Sequence, residues 1–369
     1  MLYIGCAILF LLVVVIIRSF IIGKDESIIP YFLISCLIIG ISYGIIEYVD
    51  FHTKTDCNEV WSGYISNVEH TEEWDEWHDG YYETETYTDS KGKTKTREVW
   101  HEGYWEHHDA ENYITTTDNG KFSVYDVPDG RRLNDNFVNS TKELEEYYPI
   151  NRPTASIHTY TNKVKSSYSI YKNNEIDENK YPDLPNYPMN EDNFVISRLI
   201  GDFGEDKYEY DNKLNKINSN LNDTNNVNNT EGTKSYKQVN IIFVNLGNVD
   251  KDYGYALQNK WQNGNKNDFI ISFGTDEYDN ITWCYPITWS ESEDLKYDIR
   301  NYMEDNKNLN DFDTILDDTL DMVENGFERK QFADFNYIQV PLSTLSKVLM
   351  IIILVILSIG TFIYEEFIY

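Results

Sequence analysis

The sequence has no Gly-x-x-x-x-Gly-Lys phosphate loop, no Gly-x-Gly-x-x-Gly turn, no Cys-x-x-Cys pair and no His-Glu-x-x-His helix. It therefore offers no signature of a nucleotide cradle, a dithiol redox centre or a zincin-type metal site. Positive charge is scarce as well: 31 Lys and Arg stand against 62 Asp and Glu, a formal net charge of −31. A chain this acidic repels nucleic acid, whose binding needs a basic surface. It also stands off anionic lipid headgroups, and cations or basic partners are its natural counterparts, although a well-solvated surface is the simpler reading. Only four cysteines occur. Cys6 and Cys36 lie inside apolar runs, where a thiol behaves as a small hydrophobe. Cys57 and Cys284 lie in polar sequence, and on an oxidising side they form a candidate disulfide.

What is present begins with long apolar runs. Leu2 to Ile17, continued by Phe20 to Ile22, and Ile28 to Ile46 flank a short polar turn, and Val348 to Tyr364 closes the chain. Each is close to the ~20 residues that cross hydrocarbon as a helix. The first run has no basic flank before it and no small-residue cleavage site after it, so it reads as a retained helix rather than a signal peptide. Three crossings put the termini on opposite sides. Arg18 and Lys24 flank the short turn, which places that turn and the C-terminal tail in the cytoplasm and residues 47–344 on the non-cytoplasmic side.

The expected architecture is an α+β membrane protein with three transmembrane helices. It divides into a transmembrane helical hairpin (1–50), a β-rich His/Trp/Tyr domain (51–190), a helix with an Asn-rich loop (191–234), an α/β domain (235–344), and a transmembrane helix with a short tail (345–369). In the β-rich part an internal repeat stands out: Trp77-His78-Asp79-Gly80-Tyr81-Tyr82-Glu83 recurs as Trp100-His101-Glu102-Gly103-Tyr104-Trp105-Glu106. Alternating Thr and Tyr between the copies, with Gly92 at the tip, predict a long antiparallel hairpin over 81–105. In that register His78 lies nearly opposite Trp105 and within reach of His101 or His107.

His78, His101, His107 and His108, with Glu83 or Glu106, make a candidate site for Zn²⁺ or another divalent transition metal. The bland alternative is an aromatic, polar strand surface on which His is a filler. The Trp and Tyr of 60–113 fit either an exposed binding face or the core of a β-domain short of aliphatics, and the core is the expectation.

Farther along, Tyr181 to Pro188 is Pro-rich and cannot join a central strand, so it reads as a boundary or a covering strap. Leu214, Ile217 and Leu221 have helical spacing. Over 238–327 the apolar patterns predict the order β-α-β-β-α-α, with Pro286 marking an edge strand and Ser290 opening a helix as a capping box with Glu293.

Two resemblances follow. The Leu214 helix, Ile241-Ile242-Phe243-Val244, Tyr255-Ala256 with Trp261 and Gly264, Asp268-Phe269-Ile270-Ile271 and the paired helices after them resemble a TPM domain over residues 206–328. That family implies an extracytoplasmic α/β sandwich followed by a transmembrane helix, with members linked to phosphatase activity, Ca²⁺ binding or maintenance of membrane complexes. The glycines that follow its third strand are replaced here by Trp283-Cys284-Tyr285-Pro286, and no catalytic residue is carried over. Trp283-Cys284, the run Glu328 to Tyr337, and Thr159-Tyr160-x-Asn162-x-Val164 are similar to membrane proteins of bacteriophages, other large DNA viruses and some bacteria, a family without a known function.

The expected function is therefore a membrane-anchored, non-cytoplasmic structural or interaction protein. Its partners would be the lipid bilayer and other membrane or envelope proteins. The alternative is a membrane-bound hydrolase, phosphatase-like or metal-dependent, using the TPM-like or the His-rich domain.

Overall fold

The computed structural model describes residues 2–23, 28–125, 138, 140–167, 172–189, 194, 196–222, 237–305 and 307–363. The polar turn at 24–27, nearly all of the Asn-rich loop and the tail at 364–369 lie outside the described residues.

Among the described residues, three helices are long and apolar enough to cross a membrane: α1 (Leu2–Ile21), α2 (Ile28–Thr55) and the C-terminal helix (Thr344–Ile363). They pack together around Ala7, Leu11, Ile39, Tyr43, Met350 and Leu357, and leave Leu9, Phe10, Ile34, Leu37, Ile352 and Ile356 on the outside. Tyrosine hydroxyls reach across the bundle to backbone carbonyls of the C-terminal helix. Tyr43 Oη donates to Met350 O at 2.6 Å and Tyr31 Oη to Leu357 O at 2.7 Å, where Gly360 makes the room. At one end the buried Arg18 Nε donates to Thr361 O at 3.1 Å. At the other, Asp50 takes Lys54 Nζ at 2.8 Å and Ser346 Oγ at 2.7 Å, which joins α2 to the start of the last helix.

From α2 the chain runs without a linker into β1 (Asp56–Thr71), a strand of 16 residues. It is followed by β2 (Trp74–His78), β3 (Tyr81–Thr88), β4 (Thr94–His101), β5 (Tyr104–His108), β6 (Glu111–Thr116), β7 (Gly120–Ser123), α3 (Thr141–Tyr147) and β8 (Pro153–Thr161). The first sheet has the order β7-β6-β1-β8 and is antiparallel throughout. β1 changes partner midway: Asp56 to Tyr64 pair with β8, Ile65 to Thr71 with β6, and a register shift falls between Ile65 and Asn67. Ile65, Val68, Ile114, Leu144 and Tyr148 form the core beneath it, with α3 capped by the Ser140 hydroxyl.

The second sheet has the order β12-β11-β10-β9. Its elements are β9 (Leu199–Ile200), α4 (Lys207–Leu221), β10 (Asn240–Asn245), α5 (Asp252–Lys260), β11 (Asp268–Thr275), β12 (Ile281–Thr288), α6 (Glu293–Glu304), α7 (Phe312–Gly326) and finally α8, the Thr344–Ile363 helix. From β10 on, the order is the β-α-β-β-α-α of the sequence pattern. β9, β10 and β11 are parallel, and antiparallel β12 is the edge strand, where Pro286 forfeits no interior ladder bond. α4, α6 and α7 cover one face, and α5 with the Pro-rich segment covers the other. That segment is the strap: Leu184 is buried, Lys260 Nζ donates to Leu184 O at 2.6 Å and Trp261 Nε1 to Pro185 O at 3.0 Å. Ser290 does not cap α6. Its hydroxyl donates to Glu328 O at 3.1 Å and so ties the end of β12 to the chain beyond α7.

A buried polar seam joins the sheets. Glu59 on β1, 1% exposed, receives Arg329 at 2.9 Å, Lys266 at 3.1 Å and Trp61 Nε1 at 2.9 Å. Arg198, fully buried, donates to Ser62 Oγ of β1 at 2.6 Å, to Asn240 of β10 at 2.7 Å and to Asn215 of α4. Asp268 accepts from Tyr187 Oη at 2.9 Å, Asn240 Nδ2 at 2.9 Å and Asn265 N at 2.7 Å. Buried charges persist only when paired and hydrogen-bonded, and each of these side chains has at least three polar partners.

The candidate Cys57–Cys284 disulfide is not formed, and both thiols are free. Cys57 lies on β1 opposite Tyr160, whereas Cys284 lies on β12, enclosed in the core beneath α6 and α7. Burial pushes the Cys284 thiol well above its ordinary range, which makes it a core residue rather than a reactive one.

Candidate functional site

Between β1 and β6 the chain departs from the first sheet as a two-stranded ribbon. β3 pairs with β4 from Tyr81↔His101 to Thr88↔Thr94, and β2 pairs with β5 from Trp74↔His108 to His78↔Tyr104. The hairpin is thus longer than the expected 81–105 and offset from it. His78 faces Tyr104, and Trp77 faces Trp105. The tip is an Asp89 turn: Asp89 Oδ1 accepts from Lys91 N and Lys93 N, and Gly92 takes a φ of 73°.

The register explains the repeat. Its two copies lie on opposite strands and exchange places about a local two-fold axis through the ribbon. His78 stacks on Tyr104 at 4.9 Å and 18°, and Tyr81 stacks on His101 at the same distance and angle. Trp77 meets Trp105 at 5.2 Å and 57°, and Trp100 meets Tyr82 at 4.7 Å and 56°. His78 Nε2 lies 2.8 Å from Glu106, and His101 Nε2 lies 3.0 Å from Glu83. The glycines are dictated by these rings. A Cβ on Gly80 would run into the Trp100 ring, and one on Gly103 would run into the Trp77 ring.

Most of the ribbon's aromatic surface faces solvent. Trp74, Trp77, Trp100, Trp105, Tyr81, Tyr82, Tyr87 and Tyr104 are all exposed, Trp105 by 66% and Tyr82 by 67%. This overturns the core reading of these residues, and the reason is geometric. A two-stranded ribbon has no layer beneath it, so its side chains pack only across the strands. Among the described residues, every side-chain hydrogen bond, ion pair and ring contact of residues 73–109 stays within that span. The segment carries eleven carboxylates against four Lys and Arg. Exposed ion pairs such as Arg97–Glu85 at 2.8 Å each contribute at most ~1 kcal/mol. Each aromatic pair adds roughly 0.5–1.5 kcal/mol.

The four candidate histidines do not converge on one cavity. His107 lies 2.8 Å from Asp75, whose carboxylate holds the imidazole above its ordinary range. His101 belongs to Glu83 and Tyr81. His78 and His108 both approach Glu76 Oε2, at 3.9 and 3.4 Å, and His78 also contacts Glu106. Glu76 is the participant that sequence reasoning missed. Its position opposite Glu106 follows from the register alone, which the repeat does not fix, because exchanging the two copies leaves any strand register unchanged.

Comparison with models of known protein families, with curated proteins and with solved structures finds no match to this chain.

Proposed function

We propose that the chain is a membrane-anchored interaction protein, with residues 47–344 on the non-cytoplasmic side and the 74–108 ribbon as its recognition arm. The observation that carries the proposal is the unburied aromatic surface of that ribbon. Contiguous exposed aromatics on a soluble body mark interaction sites, and Trp and Tyr dominate the energetics of such interfaces. The acid excess of the ribbon selects partners that bring positive charge to an apolar contact. The three apolar helices supply the anchor, and the seam through Glu59 and Arg198 gives the arm a fixed base. On this reading the TPM-like segment, with the strap packed on its sheet, is the scaffold between anchor and arm.

Photo-crosslinking of the full chain in its native membrane tests this. A photoreactive residue at Tyr82 or Trp105 is expected to give discrete adducts that disappear when Trp77 and Trp100 are both replaced by Ala. The same probe at Tyr297, exposed on α6, should give none. Equal adducts from all three positions, or none from the ribbon, would remove the basis for the recognition arm.

A further inference from the structure

Glu76 and Glu106 are direct cross-strand partners on β2 and β5. Like charges in that position destabilise a strand pair, and a cation shared between them would reverse the sign. The local two-fold shows that the ribbon can be built without this opposition, because the position matching Glu76 in the other half is Val99, opposite Glu83. In that half the remaining carboxylate, Glu85, is engaged by Arg97 at 2.8 Å, so among the described residues only the Glu76 half brings three donors together. There, one ligand atom each from Glu76, His78 and Glu106 lies within 4.8 Å of the others. His78 Nε2 is 2.8 Å from Glu106 Oε2 and 3.9 Å from Glu76 Oε2, and His108 Nε2 is 3.4 Å from that same Glu76 oxygen. Tetrahedral Zn²⁺ with bonds of about 2.0–2.2 Å separates its ligand atoms by about 3.4 Å. The spacings from His78 to the two glutamates bracket that value, and these half-exposed side chains close the difference by small rotations, whereas His108, stacked on Trp74, would have to turn to join them.

We propose that Glu76, His78 and Glu106, with His108 as fourth ligand, bind one divalent transition-metal ion, with Zn²⁺ as the fitting case, and that the ion braces β2 to β5 at the root of the ribbon. The donor set argues for this class: imidazole with carboxylate suits Zn²⁺ and its first-row neighbours, whereas Ca²⁺ and Mg²⁺ take all-oxygen sets. The site stands apart from the recognition reading, since metal binding is read with no partner present.

Calorimetric titration of the full-length protein in detergent with Zn²⁺, at physiological salt and with excess Mg²⁺ to saturate non-specific acidic sites, tests it. Wild type is expected to bind one equivalent. Glu76→Val, which copies the residue the other half already holds, should weaken binding by more than about tenfold, at least the loss expected for an outer-sphere partner. His101→Ala, in the half without a third donor, should bind within about twofold of wild type. The absence of saturable binding by wild type, a smaller loss in Glu76→Val, or a loss in His101→Ala as large as that in Glu76→Val would each overturn the proposal.

Discussion

At the scale of single residues, the seam between the sheets has the sharpest consequences. Glu59 is 1% exposed and neutralises Arg329 and Lys266, which are themselves only 16% and 20% exposed. Glu59→Ala leaves two cations facing each other without an anion, and breaking a buried pair from one side costs about 3–5 kcal/mol. Thermal melting of the detergent-solubilised chain should show a drop of many degrees, and an unchanged melting temperature would mean the seam is not closed.

Asp268 gives a pH signature. Burial lifts its carboxyl to about 6, against the opposing pull of hydrogen bonds from Asn265, Asn240 and Tyr187. The folded chain therefore holds a proton there at pH values where the unfolded chain has released it. Stability from this group is full below about pH 4 and is lost as pH rises through about 6. The melting temperature of wild type relative to Asp268→Asn should accordingly rise as the buffer goes from about pH 7 to about pH 5, and a difference that stays flat over that range would contradict the assignment.

At the scale of elements, the ribbon shows what the sequence could and could not reveal. The apolar helices, the order of elements from β10 to α7 and the edge position of Pro286 follow from local pattern, because periodicity and proline act within a few residues. The hairpin was legible as a hairpin, but its register was not. Thr and Tyr alternate equally well in neighbouring registers, and the choice rests on Gly80 and Gly103 admitting the Trp100 and Trp77 rings across the strands. Burial is not legible in the sequence either. Aromatic density resembles a core until one knows that no second layer covers these strands. The seam was invisible for another reason: Glu59, Arg198 and Arg329 are far apart in sequence and meet only when the sheets dock.

The ribbon's construction predicts a local effect with no global one. Gly103→Val puts a branched side chain where the Trp77 ring lies. The near-ultraviolet circular dichroism of the coupled tryptophans should collapse, while the melting temperature of the body stays within about 3 °C of wild type. An unaltered spectrum would show that the two rings do not pack as described.

At the scale of the whole molecule, the three apolar helices close into one bundle, and Asp50 and Ser346 bring the end of α2 and the start of α8 together. The body between them is thereby held at both ends of its chain, and β1, continuous with α2, leads into the ribbon. On the proposed topology the arm is displayed away from the cytoplasm. The most direct measurement is labelling of a Lys91→Cys variant, at the ribbon tip, with a membrane-impermeant maleimide in intact cells, alongside a tag at the C-terminus. That topology predicts labelling at Lys91→Cys without permeabilisation and access to the C-terminal tag only after it. Labelling of the tip only after permeabilisation, with the tag open from outside, would contradict it.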